Sequence, residues 1–81
     1  MERTKVFSNM IESIGYENEI LEIEYRSGAI YQYSSVPKEI FEGIMSSDSK
    51  GKYFHQNIFR KYPEQKTISS SQNNLFKGMP L

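Results

Sequence analysis

A six-residue alternation, Leu21-Glu22-Ile23-Glu24-Tyr25-Arg26, constrains the fold more than any other feature of this sequence. Apolar and charged side chains change places at every step, the period of a strand with one face buried and one in water. Ser27-Gly28 follows, then Ala29-Ile30-Tyr31-Gln32-Tyr33, whose aromatic and β-branched residues again favour extended backbone. Parity sets the register of the resulting hairpin. A two-residue loop at Ser27-Gly28 places Tyr31 and Tyr33 opposite Glu24 and Glu22, on the wrong face. A three-residue loop, Arg26-Ser27-Gly28 with Gly28 left-handed, pairs Tyr25 with Ala29, Ile23 with Tyr31 and Leu21 with Tyr33. The three-residue loop is therefore predicted.

Ser13-Ile14-Gly15-Tyr16 predicts an earlier strand, with Ile14 and Tyr16 on one face and a turn at Glu17-Asn18-Glu19, where Asn18 tolerates positive φ. Met10 and Ile11 are read as a turn leading into it, with Ser8 or Asn9 as a cap. Such a meander has one apolar face that needs a cover. Pro37 suits the first position of a helix, and Ile40, Phe41, Ile44 and Met45 form a stripe at helical spacing. Ser46 to Ser49 interrupts the pattern and offers caps for a second helix. There Phe54, Ile58 and Tyr62 recur every fourth residue, with Phe59 beside them, and Pro63 stops the helix. The fold class is read as α+β: a three-stranded antiparallel β-meander packed against two C-terminal α-helices. Residues 1–63 make one domain. From Glu64 to Leu81 periodicity is lost, and the polar run Ser69 to Asn74 marks a disordered tail with incidental hydrophobes at Leu75, Phe76, Met79 and Leu81.

Composition excludes several functions. A chain of 81 residues builds one small core, with a net stability of about 3–5 kcal/mol. There is no cysteine and one histidine, His55, so no disulfide, thiolate metal site or two-imidazole metal site is available. No metal or cofactor is expected. No apolar run reaches the roughly 20 residues of a membrane span, and the charged Met1–Lys5 start carries no signal-peptide pattern, so a cytoplasmic location away from membranes is expected. The glutamates fall on a strand's solvent face, and many serines with one histidine do not make a triad. Ser49-Lys50-Gly51 lacks the leading glycine and the residue order of a phosphate loop. No catalytic residue is assigned, and an enzyme is not expected.

Ten basic and ten acidic residues cancel, but their distribution is polarised. Glu12, Glu17, Glu19, Glu22 and Glu24 fall between Met10 and Tyr25 with no base among them. Lys50, Lys52, Arg60, Lys61 and Lys66 stand later against Glu64 alone. The two blocks either face each other or leave a cationic surface for a polyanion. The stretch Ser49–Tyr62 holds four of the ten basic residues and four of the eleven aromatics, with no acid. Two readings are open: an amphipathic helix with core aromatics and ordinary solvated Lys and Arg, or a nucleic-acid-binding surface.

Ile14-Gly15-Tyr16, Leu21-x-Ile23-x-Tyr25-x-x-Gly28, Tyr31-x-Tyr33, Val36-Pro37, Ser49-Lys50-Gly51-Lys52-Tyr53-Phe54 and Ile58-x-Arg60-x-Tyr62 occur in this order. The set resembles the KTSC domain, a small module named for the C-terminus of some lysyl-tRNA synthetases and found alone in short bacterial and phage proteins. The resemblance covers about residues 6–63. It implies RNA binding, from the synthetase association, and carries the family's paired tyrosines onto Tyr31 and Tyr33 and its Ser-Lys-Gly segment onto residues 49–51. His55 departs from the asparagine that follows the aromatic pair in many members. The expected function is a non-catalytic module for RNA or single-stranded nucleic acid, with Lys50, Lys52, Arg60 and Lys61 on phosphates and Tyr53 as a stacking partner. The alternative is a protein–protein adaptor, of phage origin, acting through the acidic sheet face or the tail.

Overall fold

The computed structural model describes residues 1–67. Its chain order is β1 (Arg3–Lys5), β2 (Ile11–Glu17), β3 (Ile20–Tyr25), β4 (Ile30–Tyr33), α1 (Lys38–Ser46), α2 (Lys50–Asn57) and β5 (Glu64–Thr67). The strands form one antiparallel sheet in the spatial order β1-β2-β3-β4-β5. Both helices are inserted between β4 and β5, which are neighbours in the sheet.

The central hairpin follows the parity argument. Leu21 pairs with Tyr33 and Ile23 with Tyr31. The Tyr25 N–H donates to the Ala29 carbonyl at 2.9 Å, and Gly28 closes the three-residue loop at φ +99°. At the β2–β3 turn Asn18 and Glu19 both take positive φ, 54° and 65°, so the turn has two residues and Glu17 pairs with Ile20.

Four expectations are corrected. The sheet has five strands rather than three, because β1 and β5 join its edges. Residues 64–67, expected in a disordered tail, are one of these edges. Pairing with β4 satisfies their backbone groups although Glu64, Gln65 and Lys66 are exposed. The rest of that expected tail, 68–81, lies outside the described residues.

Ile11 belongs to β2 and not to a turn. The register shifts between Ile11 and Ser13, leaving Glu12 as a bulge. The bulge reverses the side-chain alternation, so Ile11 at 0% exposure and Ile14 at 1% both enter the core. The second helix ends at Asn57, well before Pro63. The Asn57 side-chain amide donates to the Tyr53 carbonyl at 3.1 Å, and the N–H groups of Ile58 and Phe59 both reach the Phe54 carbonyl. Arg60 then turns the chain at φ +63°. Ile58 stays fully buried and the chain is delivered to β5.

The core lies between the sheet and the helices. It comprises Ile11, Ile14, Leu21, Ile23, Tyr33, Val36, Ile44, Phe54 and Ile58. Phe54 presents its ring to the edges or faces of Tyr25 and Tyr33, at 6.0 and 5.4 Å, while Tyr16 stacks on Phe41 of α1 at 4.8 Å. Tyr31 and Tyr33 therefore belong to the covered face, Tyr33 completely and Tyr31 in part. No described helix is long and apolar enough to cross a membrane.

Candidate nucleic-acid interface

The open face of the sheet decides where the two charge blocks go. Arg3 of β1 lies across Gly15, where a Cβ would come within 2.5 Å of the Glu2 carbonyl oxygen and 2.9 Å of the Arg3 Cγ. From there its Nη1 pairs with Glu22 Oε2, its Nη2 stands 3.7 Å from Glu24 Oε1, and its Nε donates to the Ser13 hydroxyl at 2.9 Å. Ser13 donates in turn to Glu24 at 2.7 Å, and the Gln32 amide donates to Glu22, also at 2.7 Å. Glu22 is only 7% exposed and has every oxygen engaged. Glu12 is approached by Lys5 at 3.3 Å and Arg26 at 3.7 Å. Three of the five acids of this block, Glu12, Glu22 and Glu24, are thus answered by β1 and by the hairpin loop. Lys50, Lys52, Arg60 and Lys61 form no ion pair among the described residues.

An open groove of about 570 Å³ lies at the start of α2. One wall is the β1–β2 loop, Phe7 to Met10. It is shaped by Ser8, whose hydroxyl accepts the N–H groups of Met10 and Ile11 at 3.3 Å each. The other wall is Asp48 to Lys52. Arg26 joins them: its Nε donates to the Ser8 carbonyl at 2.7 Å, which fixes the guanidinium at the groove. Lys50 is held by a 2.8 Å hydrogen bond from Nζ to the Ser47 carbonyl, whereas Lys52 is exposed and extends freely. Lys50, Lys52 and Arg26, the last also 3.7 Å from Glu12, line the groove with one acid, Asp48. A Cβ at Gly51 would meet the Met10 side chain first, at 3.6 Å, and the N-cap residue Ser49 makes no side-chain hydrogen bond to the helix, so the first α2 amides lack a capping side chain. Phe7 is 97% exposed at the rim, a large apolar ring with nothing packed on it.

Of the residues singled out from sequence, Lys50 and Lys52 share this groove. Tyr53 does not line it: its ring is wedged against Gly43 of α1, where a Cβ would collide with the hydroxyl. Arg60 and Lys61 lie beyond the opposite end of α2. The Arg60 guanidinium sits over Phe59, 5.2 Å from its centroid, and His55 stacks on the same ring at 4.8 Å. Sequence reasoning missed Phe7, Met10 and Arg26, which reach the groove from loops far upstream of Lys50. A phenylalanine beside Ser8-Asn9, in no apolar pattern, was their one visible signal.

The KTSC domain family matches residues 7–62. The chain belongs to that family. An uncharacterized protein of Stutzerimonas stutzeri is 41% identical over 58 residues, covering 69% of this chain and 82% of its own. A lysine–tRNA ligase of Trichormus variabilis is 36% identical over 56 residues, which are 67% of this chain and 10% of the ligase. The KTSC domain protein of Yersinia pestis, known from a crystal structure, superposes with a TM-score of 0.81 at 39% identity. It covers 83% of this chain and 97% of its own. The KTSC match begins at Phe7 and ends at Tyr62, so it includes both groove walls.

Proposed function

We propose that this protein is a non-catalytic module that binds RNA or single-stranded nucleic acid in the groove at the start of α2. The observation that carries the reading is the meeting of Arg26, Lys50 and Lys52 with the bare ring of Phe7. Cations that track a phosphate backbone beside an aromatic ring that accepts a base are the two elements of single-strand binding. The charge segregation supports it, because Glu12, Glu22 and Glu24 are paired with Arg3, Lys5 and Arg26 rather than with the lysines of α2. Kinship with a segment of lysine–tRNA ligases, proteins named for an RNA, points to the same ligand class. The groove holds no histidine, and the Ser8 hydroxyl accepts two backbone N–H groups.

Binding of a labelled single-stranded RNA at low salt tests this directly. Lys50→Glu with Lys52→Glu should abolish most of the affinity and leave the fold intact, since neither side chain belongs to the core. Intact protein with no affinity for any RNA or single-stranded DNA would end the reading. It would leave the adaptor, with Phe7 as its exposed contact.

A further inference from the structure

The groove is one end of a longer surface. Lys52, His55 and Gln56 are exposed and fall on one face of α2 by their spacing of three and four. The 4.8 Å stack of His55 on Phe59 shows that this face continues past the end of the helix. Arg60 then lies over the Phe59 ring at 5.2 Å. The groove with Phe7, Lys50 and Lys52 thus stands at the start of α2, and the His55–Phe59–Arg60 cluster at its end. No acid stands on the helix between its ends: Lys50–Asn57 reads Lys-Gly-Lys-Tyr-Phe-His-Gln-Asn.

We infer that this face is a track for a single strand of nucleic acid, with a base on Phe7 at one end and a base on the His55–Phe59–Arg60 stack at the other. The inference rests on the function proposed above and adds the form of the ligand. Eight helical residues span about 12 Å at 1.5 Å each. Phosphates in a stacked strand advance about 3.4 Å each, so filling both ends takes about four nucleotides. The aromatic contacts require unpaired bases, because a duplex keeps its base faces inside its own stack. A single strand is thus selected over a duplex by Phe7 and the His55–Phe59–Arg60 stack, and a strand of about four nucleotides over a shorter one by the length of α2.

The test uses the whole chain with oligouridylates as probes: a dinucleotide, a tetranucleotide, an octanucleotide and a hybrid duplex of the last. The tetranucleotide should bind about tenfold or more tightly than the dinucleotide, with little gained at the octanucleotide, and the duplex should bind more weakly than its free strand. His55→Ala with Arg60→Ala should cost about tenfold for the tetranucleotide and so shrink its advantage over the dinucleotide. Both side chains are exposed, and an unchanged melting curve checks that the fold is kept. Equal binding of dinucleotide and octanucleotide, or a preference for the duplex, would overturn the track while the groove remained a binding site. Failure of every probe to bind would remove both the track and the function on which it rests.

Discussion

The hydroxyls of Tyr25 and Tyr33 lie 2.9 Å apart beneath α2, on two adjacent strands, and hydrogen-bond to each other. Tyr33 is 1% exposed, and Phe54 packs edge-on against both rings. The pair closes the polar ends of two core aromatics against one another, so no water is needed where helix meets sheet.

Burial holds the Tyr33 hydroxyl far above its ordinary value near 10, helped by its hydrogen bond to Tyr25, and burial also raises Tyr25. Below about pH 10 both the folded and unfolded chains keep these protons and stability does not depend on them. Above it the unfolded chain loses protons that the folded chain retains, so stability falls as pH rises, by at most about 1.4 kcal/mol per pH unit for each tyrosine. Urea midpoints between about pH 8 and pH 11 should show this decline. The decline should be much shallower in the Tyr25→Phe, Tyr33→Phe double variant, and an equal decline would mean that other groups govern alkaline unfolding.

Tyr33→Ala should cost about 3–5 kcal/mol and leave little folded protein, because a wholly buried ring is removed from so small a core. Tyr31→Ala should cost distinctly less, since Tyr31 keeps part of its ring in solvent. Chemical denaturation of the two variants side by side gives the order.

Gly28 and Gly15 should fail for different reasons. A side chain at Gly28 meets nothing within 4 Å, so Gly28→Val is destabilising through its φ of +99° alone, by about 1–3 kcal/mol. Gly15→Ala brings a methyl against the Glu2 carbonyl and Arg3. It should lift β1 from the sheet, at about 1–3 kcal/mol. Amide exchange separates the two effects: fast exchange in the hairpin for the first, fast exchange along β2 facing β1 for the second.

Phe7→Ala should weaken RNA binding by about 1–3 kcal/mol with no change in melting temperature, because the ring packs on nothing. A fall in stability would show instead that Phe7 has a structural partner.

Salt dependence reads how many cations are used. With about 0.7 of a counterion released per single-strand phosphate, three contacts at Arg26, Lys50 and Lys52 give a log–log slope of roughly −2. Engagement of Arg60 and Lys61 as well steepens it to roughly −3.5. A titration of affinity against ionic strength therefore distinguishes the groove alone from the whole length of α2.

The central hairpin was legible because Leu21 to Tyr25 alternates in polarity at every residue, and one loop length alone brings Tyr31 and Tyr33 onto its apolar face. The edge strands were not. Arg3-Thr4-Lys5 and Glu64-Gln65-Lys66-Thr67 have no apolar face, and they are strands only because a neighbour supplies their hydrogen bonds. Ile11 was misplaced because a bulge at Glu12 changes the parity on which the reading depends. The end of α2 was hidden because Ile58 stays buried where a continued helix would have put it. At the site, Lys50 and Lys52 stood out as a cluster in sequence. Arg26 reaches the groove through a hydrogen bond to Ser8, eighteen residues away, which no local pattern records.

The placement of both helices between adjacent strands bears on how the molecule assembles. The first three strand pairings join segments separated by short loops and can form on the microsecond scale of isolated hairpins. The β4–β5 pairing must close a loop of about thirty residues that contains α1 and α2, so it follows the docking of the helices. Strand β5 is then a latch: its closure traps α2 against the sheet.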